Sequence, residues 1–330
     1  MKKYSICIFI SIVLLAMLVS CGNFDSKTAT PGEVCVLSKA ADDAAPYSSG
    51  YRANIAPTEA TMAALDISFD YDAPENALTS IDFNGKQYAV QFLSSGKGFM
   101  RRTWEDDYRA DPNDEGIKVF YVNRGSGKLI GYMKEMVFQP VPSGDTLSRE
   151  ELTNIAREGL GAFVDASYYA HTDISYSSET YLYTVKFYNT FDGVEVADSS
   201  MVDLRGDGTL VQVTDWHEPE ILEAMRGFSN FDTAAFDSRV EAETRAAYPD
   251  YRRDDNEMYV DVAYNGVEIS FRQITLDDDG RPVVVYGVTT RLNYNVVYRG
   301  ESAALMSGRG LATQESGVSQ QTVYITVGLE

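Results

Sequence analysis

Phe191-Asp-Gly193-Val-Glu195-Val196, then Val202-Asp-Leu204, then Gly206-Asp207-Gly208-Thr-Leu210 is the stretch that decides the fold. Apolar and polar residues alternate around an Asp-Gly pair, the pattern of strands buried on one face and joined by a turn in which glycine takes positive φ. A second stretch follows the same scheme: Tyr264-Asn-Gly266-Val-Glu268-Ile269, Ile274-Thr-Leu276, Asp278-Asp279-Gly280. Gly193 precedes Gly208 by 15 residues and Gly266 precedes Gly280 by 14. The two stretches are therefore read as copies of one antiparallel meander, with Gly193 equivalent to Gly266 and Gly208 to Gly280. The Asn84-Gly85 turn and the Gly127 hairpin supply a degenerate third copy.

Each meander follows a helix. Ser148-Arg-Glu-Glu151 is a capping box, and Leu152, Ile155, Ala156, Leu160 and Phe163 then recur at helical spacing, giving one apolar face that must find a sheet. A second helix is expected after Pro219, with Ile221, Met225 and Phe228 aligned, and a third from about Asp232 to Tyr248, before Pro249. A short helix is expected from Thr58 to Leu65, and strands at Leu65–Tyr71, Gln87–Leu93, Lys118–Asn123 and Lys128–Met133. The expected class is α+β, with repeated modules of one helix packed on an antiparallel β-meander. The expected division is a signal peptide over 1–20, a flexible tether over 21–57 and an N-terminal β-rich module over 58–142. A helix-and-meander module over 143–217 follows, then a second over 218–330 with C-terminal strands.

Ser148–Asp215 resembles the repeat module of the PepSY and YcdB/YcdC-like group of bacterial surface and lipoproteins. The resemblance rests on the helix Glu151–Phe163, the strand Tyr181–Tyr188, the Asp192-Gly193-Val194 turn and Asp207-Gly208-Thr209-Leu210. Asp232–Val288 is a looser second match, and the two cover under half of the mature chain. The resemblance implies a non-catalytic binding or inhibitory domain and supplies no catalytic residue.

The N-terminus gives the address. Lys2 and Lys3 precede an apolar run from Ile6 to about Val19, too short to span a bilayer, which ends in Leu18-Val19-Ser20-Cys21-Gly22. That ending resembles the lipobox of bacterial lipoproteins, which implies cleavage before Cys21 and a diacylglycerol on its sulfur. Stable anchoring needs more than one acyl chain, and this modification supplies them. The expected protein is a palmitate-type lipoprotein on an extracytoplasmic membrane face. Without residues 1–20 it has 310 residues and a net charge of −23, against −21 for the whole chain. So acidic a chain, with no basic stripe, opposes nucleic-acid binding. Of three cysteines, Cys7 leaves with the signal and Cys21 is alkylated. Cys35 is then the one free thiol, and stability rests on apolar burial rather than a disulfide.

Chemistry-bearing residues are sparse. The mature chain holds two histidines, His171 and His217, each read as solvated or capping, because zinc sites and Ser-His-Asp triads need more partners than surround them. Gly125-Ser-Gly127-Lys128 lacks the residues of a phosphate loop and joins strand to strand. Ser94-Ser-Gly-Lys97 matches Ser-x-x-Lys without its partner motifs. Asp111-Pro-Asn113-Asp-Glu115-Gly116 begins like a calcium loop but carries Val122 at position twelve. Asp254-Asp255-Asn256-Glu257 and Asp277-Asp278-Asp279 are read as solvated turns rather than weak Ca²⁺ sites, and Glu195 and Glu268 as surface strand residues. No cofactor and no metal site is called for. Tyrosine is abundant, with 22 residues including Tyr168, Tyr169, Tyr176, Tyr181, Tyr183 and Tyr188. These are either half-buried sheet residues or an exposed aromatic face for a peptide or glycan.

Together these readings lead to a cell-envelope lipoprotein, anchored to the membrane through Cys21, acting as a non-catalytic module for an envelope protein or peptide. The alternative is an envelope hydrolase or glycan-binding protein with a site between modules. Replacing Cys21 by Ala should abolish incorporation of labelled fatty acid in cells; undiminished labelling would remove the anchor.

Overall fold

The computed structural model describes residues 27–36, 68–97, 104–134, 146–277 and 279–330. The signal peptide expected over 1–20, Cys21, the helix expected from Thr58 to Leu65 and Asp278 lie outside the described residues.

Among the described residues, seventeen strands and four α-helices follow in this order. The first strands are β1 (Lys27–Ala29), β2 (Pro31–Val36), β3 (Ser68–Asp70), β4 (Ser80–Phe83), β5 (Lys86–Lys97), β6 (Glu105–Ala110), β7 (Val119–Asn123) and β8 (Leu129–Met133). Helix α1 (Arg149–Leu160) precedes β9 (His171–Ser177), β10 (Leu182–Phe191), β11 (Val194–Leu204) and β12 (Leu210–Trp216). Then come α2 (Pro219–Ala224), β13 (Phe228–Phe231), α3 (Thr233–Ala247), β14 (Tyr251–Asp254), β15 (Met258–Leu276), β16 (Pro282–Tyr298), α4 (Gly300–Gly308) and β17 (Gln314–Leu329). Among the described residues no helix is long and apolar enough to cross a membrane.

The local signals act as their chemistry dictates. The Ser148 side chain caps the N–H of Glu151, whose carboxylate accepts the Ser148 N–H in return, and α1 buries Leu152, Ala156 and Leu160 at i, i+4 and i+8. Pro219 opens α2, where its missing N–H costs nothing. In α3 the Asp232 carboxylate caps Ala235, and Phe236, Val240 and Thr244 face inward. Thr244 stays satisfied by donating to the Val240 carbonyl. Asp237 then clamps α3 to the sheet, its two oxygens at 2.8 and 2.6 Å from Nε and Nη2 of Arg272 on β15.

The expected class, α+β built of repeated helix-on-meander modules, is contradicted. The chain is mostly strand, and fifteen strands join in one mixed sheet while β1 and β13 form a small second one. The sheet runs β2-β17-β16-β15-β11-β12-β8-β7-β6-β5-β3, with β10 beside β11, β9 beside β10, β14 beside β15 and β4 beside β5. The physical reason is that each separate meander would leave edge N–H and C=O groups open, whereas pairing β8 with β12 and β11 with β15 satisfies them. Two short strands also lie within the stretch read as a tether: β1 pairs with β13, and β2 pairs with β17, opposing Cys35 to Thr326.

The repeat fails at a definite place. Gly193 and Gly266 both take positive φ, as do Gly208 and Gly280. Asp192-Gly193 is the two-residue hairpin turn between β10 and β11. Asn265-Gly266, by contrast, is a bulge inside β15: Tyr264 pairs with Leu292 and Val267 with Thr290, so two residues oppose Arg291. The same backbone freedom bends a long strand in one stretch and reverses the chain in the other. A helix-on-meander module would put Val194 and Val196 against α1, the helix that precedes their meander. They pack instead with Ile221 of α2 and Phe236 and Val240 of α3.

Two main cores result. One lies under α1 and joins Leu152, Ala156 and Leu160 to Phe120, Val185, Phe187, Val202, Leu204 and Val213. The other gathers Val194, Val196, Ile221, Phe236, Val240, Ile274, Val284, Tyr286, Val288 and Ile325. A third, small cluster of Val260, Val262, Leu292 and Val296 fills the far ends of β15 and β16.

Gly131 on β8 shows how tight the junction with β12 is. A Cβ there would lie 2.3 Å from the Val213 carbonyl oxygen, a backbone atom that cannot swing away, whereas one at Gly193 would meet nothing within 4 Å. Gly131→Ala should therefore destabilise by about 3 kcal/mol or more, through forced separation of β8 and β12. Gly193→Ala should cost about 1 to 2 kcal/mol from positive φ alone. Urea denaturation midpoints of the two variants would reveal the order.

Candidate functional site

Strand β11 threads both cores. Its alternate residues Val194 and Val196 belong to one and Val202 and Leu204 to the other, and between them the same inward row carries Asp198 and Ser200. Both polar residues are fully buried. At this point the neighbour of β11 changes. Along one edge, Glu195 and Val196 pair in parallel with Gln273 and Ile274 of β15, while Ser199 to Leu204 pair antiparallel with β12. The opposite edge is held by β10. Glu195 bridges the parallel joint by accepting from Gln273 and from Lys186.

Buried carboxylates need donors, and the seam supplies them in two groups. Asp198 accepts from the Tyr168 hydroxyl at 2.5 Å, from the Glu218 amide at 2.9 Å and from Nδ1 of His217 at 3.1 Å. Burial raises the Asp198 carboxyl, yet the bonds from His217, Tyr168 and the Glu218 amide outweigh it and hold the group below its usual value. Burial, with the neighbouring Asp198, pushes the Tyr168 hydroxyl up. Asp215, on β12 directly opposite Ser200, accepts from Ser200 Oγ at 2.8 Å and from Lys128 Nζ at 3.0 Å. Ser200 Oγ also lies 2.7 Å from the Tyr169 hydroxyl. The Tyr168 and His217 rings meet edge to face at 4.4 Å.

Where β15 and β12 part, a cleft of about 660 Å³ opens. It is lined by Trp104, Glu105, Asn123, Gly125, Ser126, Lys128, Ile130, Asp215, Trp216, His217, Glu218, Pro219, Glu220 and Leu276. Both tryptophans of the chain are in this wall. The Trp216 indole N–H points to Glu105 at 3.4 Å, and the Arg124 guanidinium, held by Asp106 at 2.8 Å, lies 5.1 Å from the Trp104 ring centre. Carboxylates outnumber bases: Glu105, Asp215, Glu218 and Glu220 face Lys128 and His217. Asp198 holds the His217 ring by Nδ1–H and leaves Nε2 as its acceptor when neutral. Ser200 and His217 belong to different hydrogen-bonded groups, one centred on Asp215 and the other on Asp198.

The structure brings few of the sequence candidates together. His171 starts β9, exposed, stacked on Tyr188 at 5.3 Å with Nε2 3.0 Å from Thr190 Oγ1. The Gly125–Lys128 turn joins β7 to β8 and puts Lys128 at the seam. Ser94 lies in β5, bonded to Asp107. In the Asp111–Gly116 loop, Asn113 closes the turn onto Ile117. Glu115, held below its usual range, accepts from Tyr88 and Lys86. Asp254 pairs with Arg299, Asp255 with Arg253, and Glu257 accepts from Ser302. Asp277 accepts from the amides of Asp279 and Arg281, and Glu268 pairs with Arg291. The Tyr176 and Tyr183 rings meet at a tilt, their centres 4.8 Å apart. Among the described residues no three His, Cys, Asp or Glu side chains converge as a metal site.

Sequence reasoning missed Asp198, Ser200 and Asp215, as well as the pairing of Trp104-Glu105 with Trp216-His217-Glu218. A signal existed in the strict alternation Val194, Val196, Asp198, Ser200, Val202, Leu204, where two polar residues interrupt an apolar row. No family model, no curated protein and no solved structure matches the chain.

Asp198→Asn replaces one acceptor oxygen by an amide donor, which then faces either the Tyr168 hydroxyl or the His217 ring and the Glu218 amide, so it should cost about 2 to 4 kcal/mol at neutral pH. Folding lowers the Asp198 pKa below its ordinary 3.8. Its contribution is therefore present above that value and is lost as pH falls through the folded-state pKa. The stability gap between wild type and variant should narrow below about pH 4; a gap that stays constant into acid would place the cost elsewhere.

Proposed function

We propose that this chain is a lipid-anchored protein of the cell envelope that binds a peptide segment of another envelope protein in the cleft between its two main cores. One observation carries the reading: the two tryptophans, distant in sequence, stand in the wall of a single cleft that the buried, hydrogen-bonded Asp215 also lines. Tryptophan beside hydrogen-bonding side chains is the composition of recognition surfaces, because an aromatic ring contributes large contact area at small entropic cost. A cleft of this volume is of the size that encloses a small ligand or a few residues of chain. Asp198, Asp215 and Ser200 hold the walls in place, which reduces the ordering cost of binding.

A hydrolase is the second reading, favoured by the Asp198–His217 pair at the cleft, an arrangement that suits a general base. The two readings part on turnover.

A photo-crosslinking amino acid placed at Ser126, an exposed residue of the cleft wall, should capture an envelope protein in living cells. The same probe at Glu150, exposed on α1, should not. Equal capture at both positions, or hydrolysis of the captured chain that disappears with His217→Ala, would overturn the binding reading.

A further inference from the structure

A sheet edge offers a row of unpaired N–H and C=O groups, and proteins guard such rows with short strands, charge or proline. Strand β17 lacks those guards over most of its length. One edge pairs without a break to β16, from Gln314 opposite Val297 to Gly328 opposite Val283, and the other carries β2 only from Ile325 onward. From Gln314 to Val323 no strand among the described residues covers that second edge. The stretch has no proline and no lysine, and its one charge, Glu315, accepts from the Tyr294 hydroxyl at 2.9 Å. Other strands with an open edge are guarded. β3 and β4 have three and four residues, β14 carries Arg252, Arg253 and Asp254, and β9 carries Asp173 and gives its Ile174 carbonyl to Arg149.

Charge marks the occupant. From Ser302 to Leu329 the charged residues are Arg309 and Glu315, of opposite sign, in a chain that is 23% charged and carries −21 overall. Copies of so acidic a chain repel each other, and this neutral edge is where that repulsion is least. Three exposed apolar residues gather in β17 and just before it: Val318 and Leu305 are 56% exposed and Leu311 51%. We propose that β17 is the interface of a homodimer, in which the open edges of two copies pair antiparallel and join their sheets. A strand that meets its own copy about a two-fold axis has one residue facing itself. Placing Val318 there buries its side chain against its twin, and sets Gly317 opposite Ser319, Ser316 opposite Gln320, Glu315 opposite Gln321 and Gln314 opposite Thr322. No like charges then face each other. Main-chain hydrogen bonds supply the binding, as in other strand additions.

The chain from Gly22 to Glu330, which keeps every described residue, is studied by analytical ultracentrifugation under reducing conditions, with salt enough to screen the net charge. It should form a dimer that dissociates on dilution. Val318→Lys sets two like charges face to face on an exposed site and should weaken the dimer about tenfold or more. Ser175→Lys, exposed on β9, should leave it unchanged. A second measurement does not depend on how Val318→Lys folds. Directly opposed strand residues have Cα atoms about 4.5 to 5.5 Å apart, within reach of a disulfide. In a Cys35→Ser background, Val318→Cys should therefore cross-link on mild oxidation. Gln320→Cys should not, because its two copies lie four residues apart along the strands, about 13 Å. A chain that stays monomeric at every concentration, a dimer lost equally in Ser175→Lys, or cross-linking through Gln320→Cys as readily as through Val318→Cys overturns the proposal.

Discussion

Strand β11 carries two adjacent inward positions, Asp198 and Ser200, that are polar and wholly buried, and the rest of the molecule is arranged around satisfying them. A carboxylate taken out of water is costly unless donors replace its hydration. Asp198 collects three donors, from the segment after α1, from His217 and from the amide that leads into α2. Asp215 collects Ser200 and Lys128. These bonds tie the turn between β7 and β8, the α1–β9 segment and the start of α2 to one point on the sheet.

The same point is where the sheet changes partner. A single strand offers one edge to two neighbours end to end, β15 over Glu195 and Val196 and β12 over Ser199 to Leu204. Between them lies a gap that no ladder bond fills. The polar interruption of the apolar row stands between the two cores, and its partners Asp215, Lys128, His217 and Glu218 line the cleft.

Local features were legible because they depend on residues within a turn or two. The capping box at Ser148, the Pro219 start of α2, the inward row of α3 and the positive φ at four glycines all follow from neighbouring chemistry. The repeat was misread for the same reason. Asp192-Gly193 and Asn265-Gly266 offer identical backbone freedom, and nothing nearby tells a hairpin from a bulge. That choice rests on β16, whose length lets Leu292 and Thr290 pair across the kink. Likewise, Val194 and Val196 announce an inward face without saying which helix will cover it.

The sequence by itself determined the acidic character, the alternating strands around Gly193 and Gly266, the starts of α1, α2 and α3 and the lipobox-like ending at Cys21. Each is written in composition or short spacing. Only the tertiary structure decided which strand edges meet, and through that the site: Trp216 stands by Glu105 across 111 residues and Lys128 by Asp215 across 87. Every strand edge offers the same backbone N–H and C=O groups, so an edge carries no address of its own. The partner is chosen by how whole apolar faces fit together and by which polar groups that fit leaves able to satisfy one another.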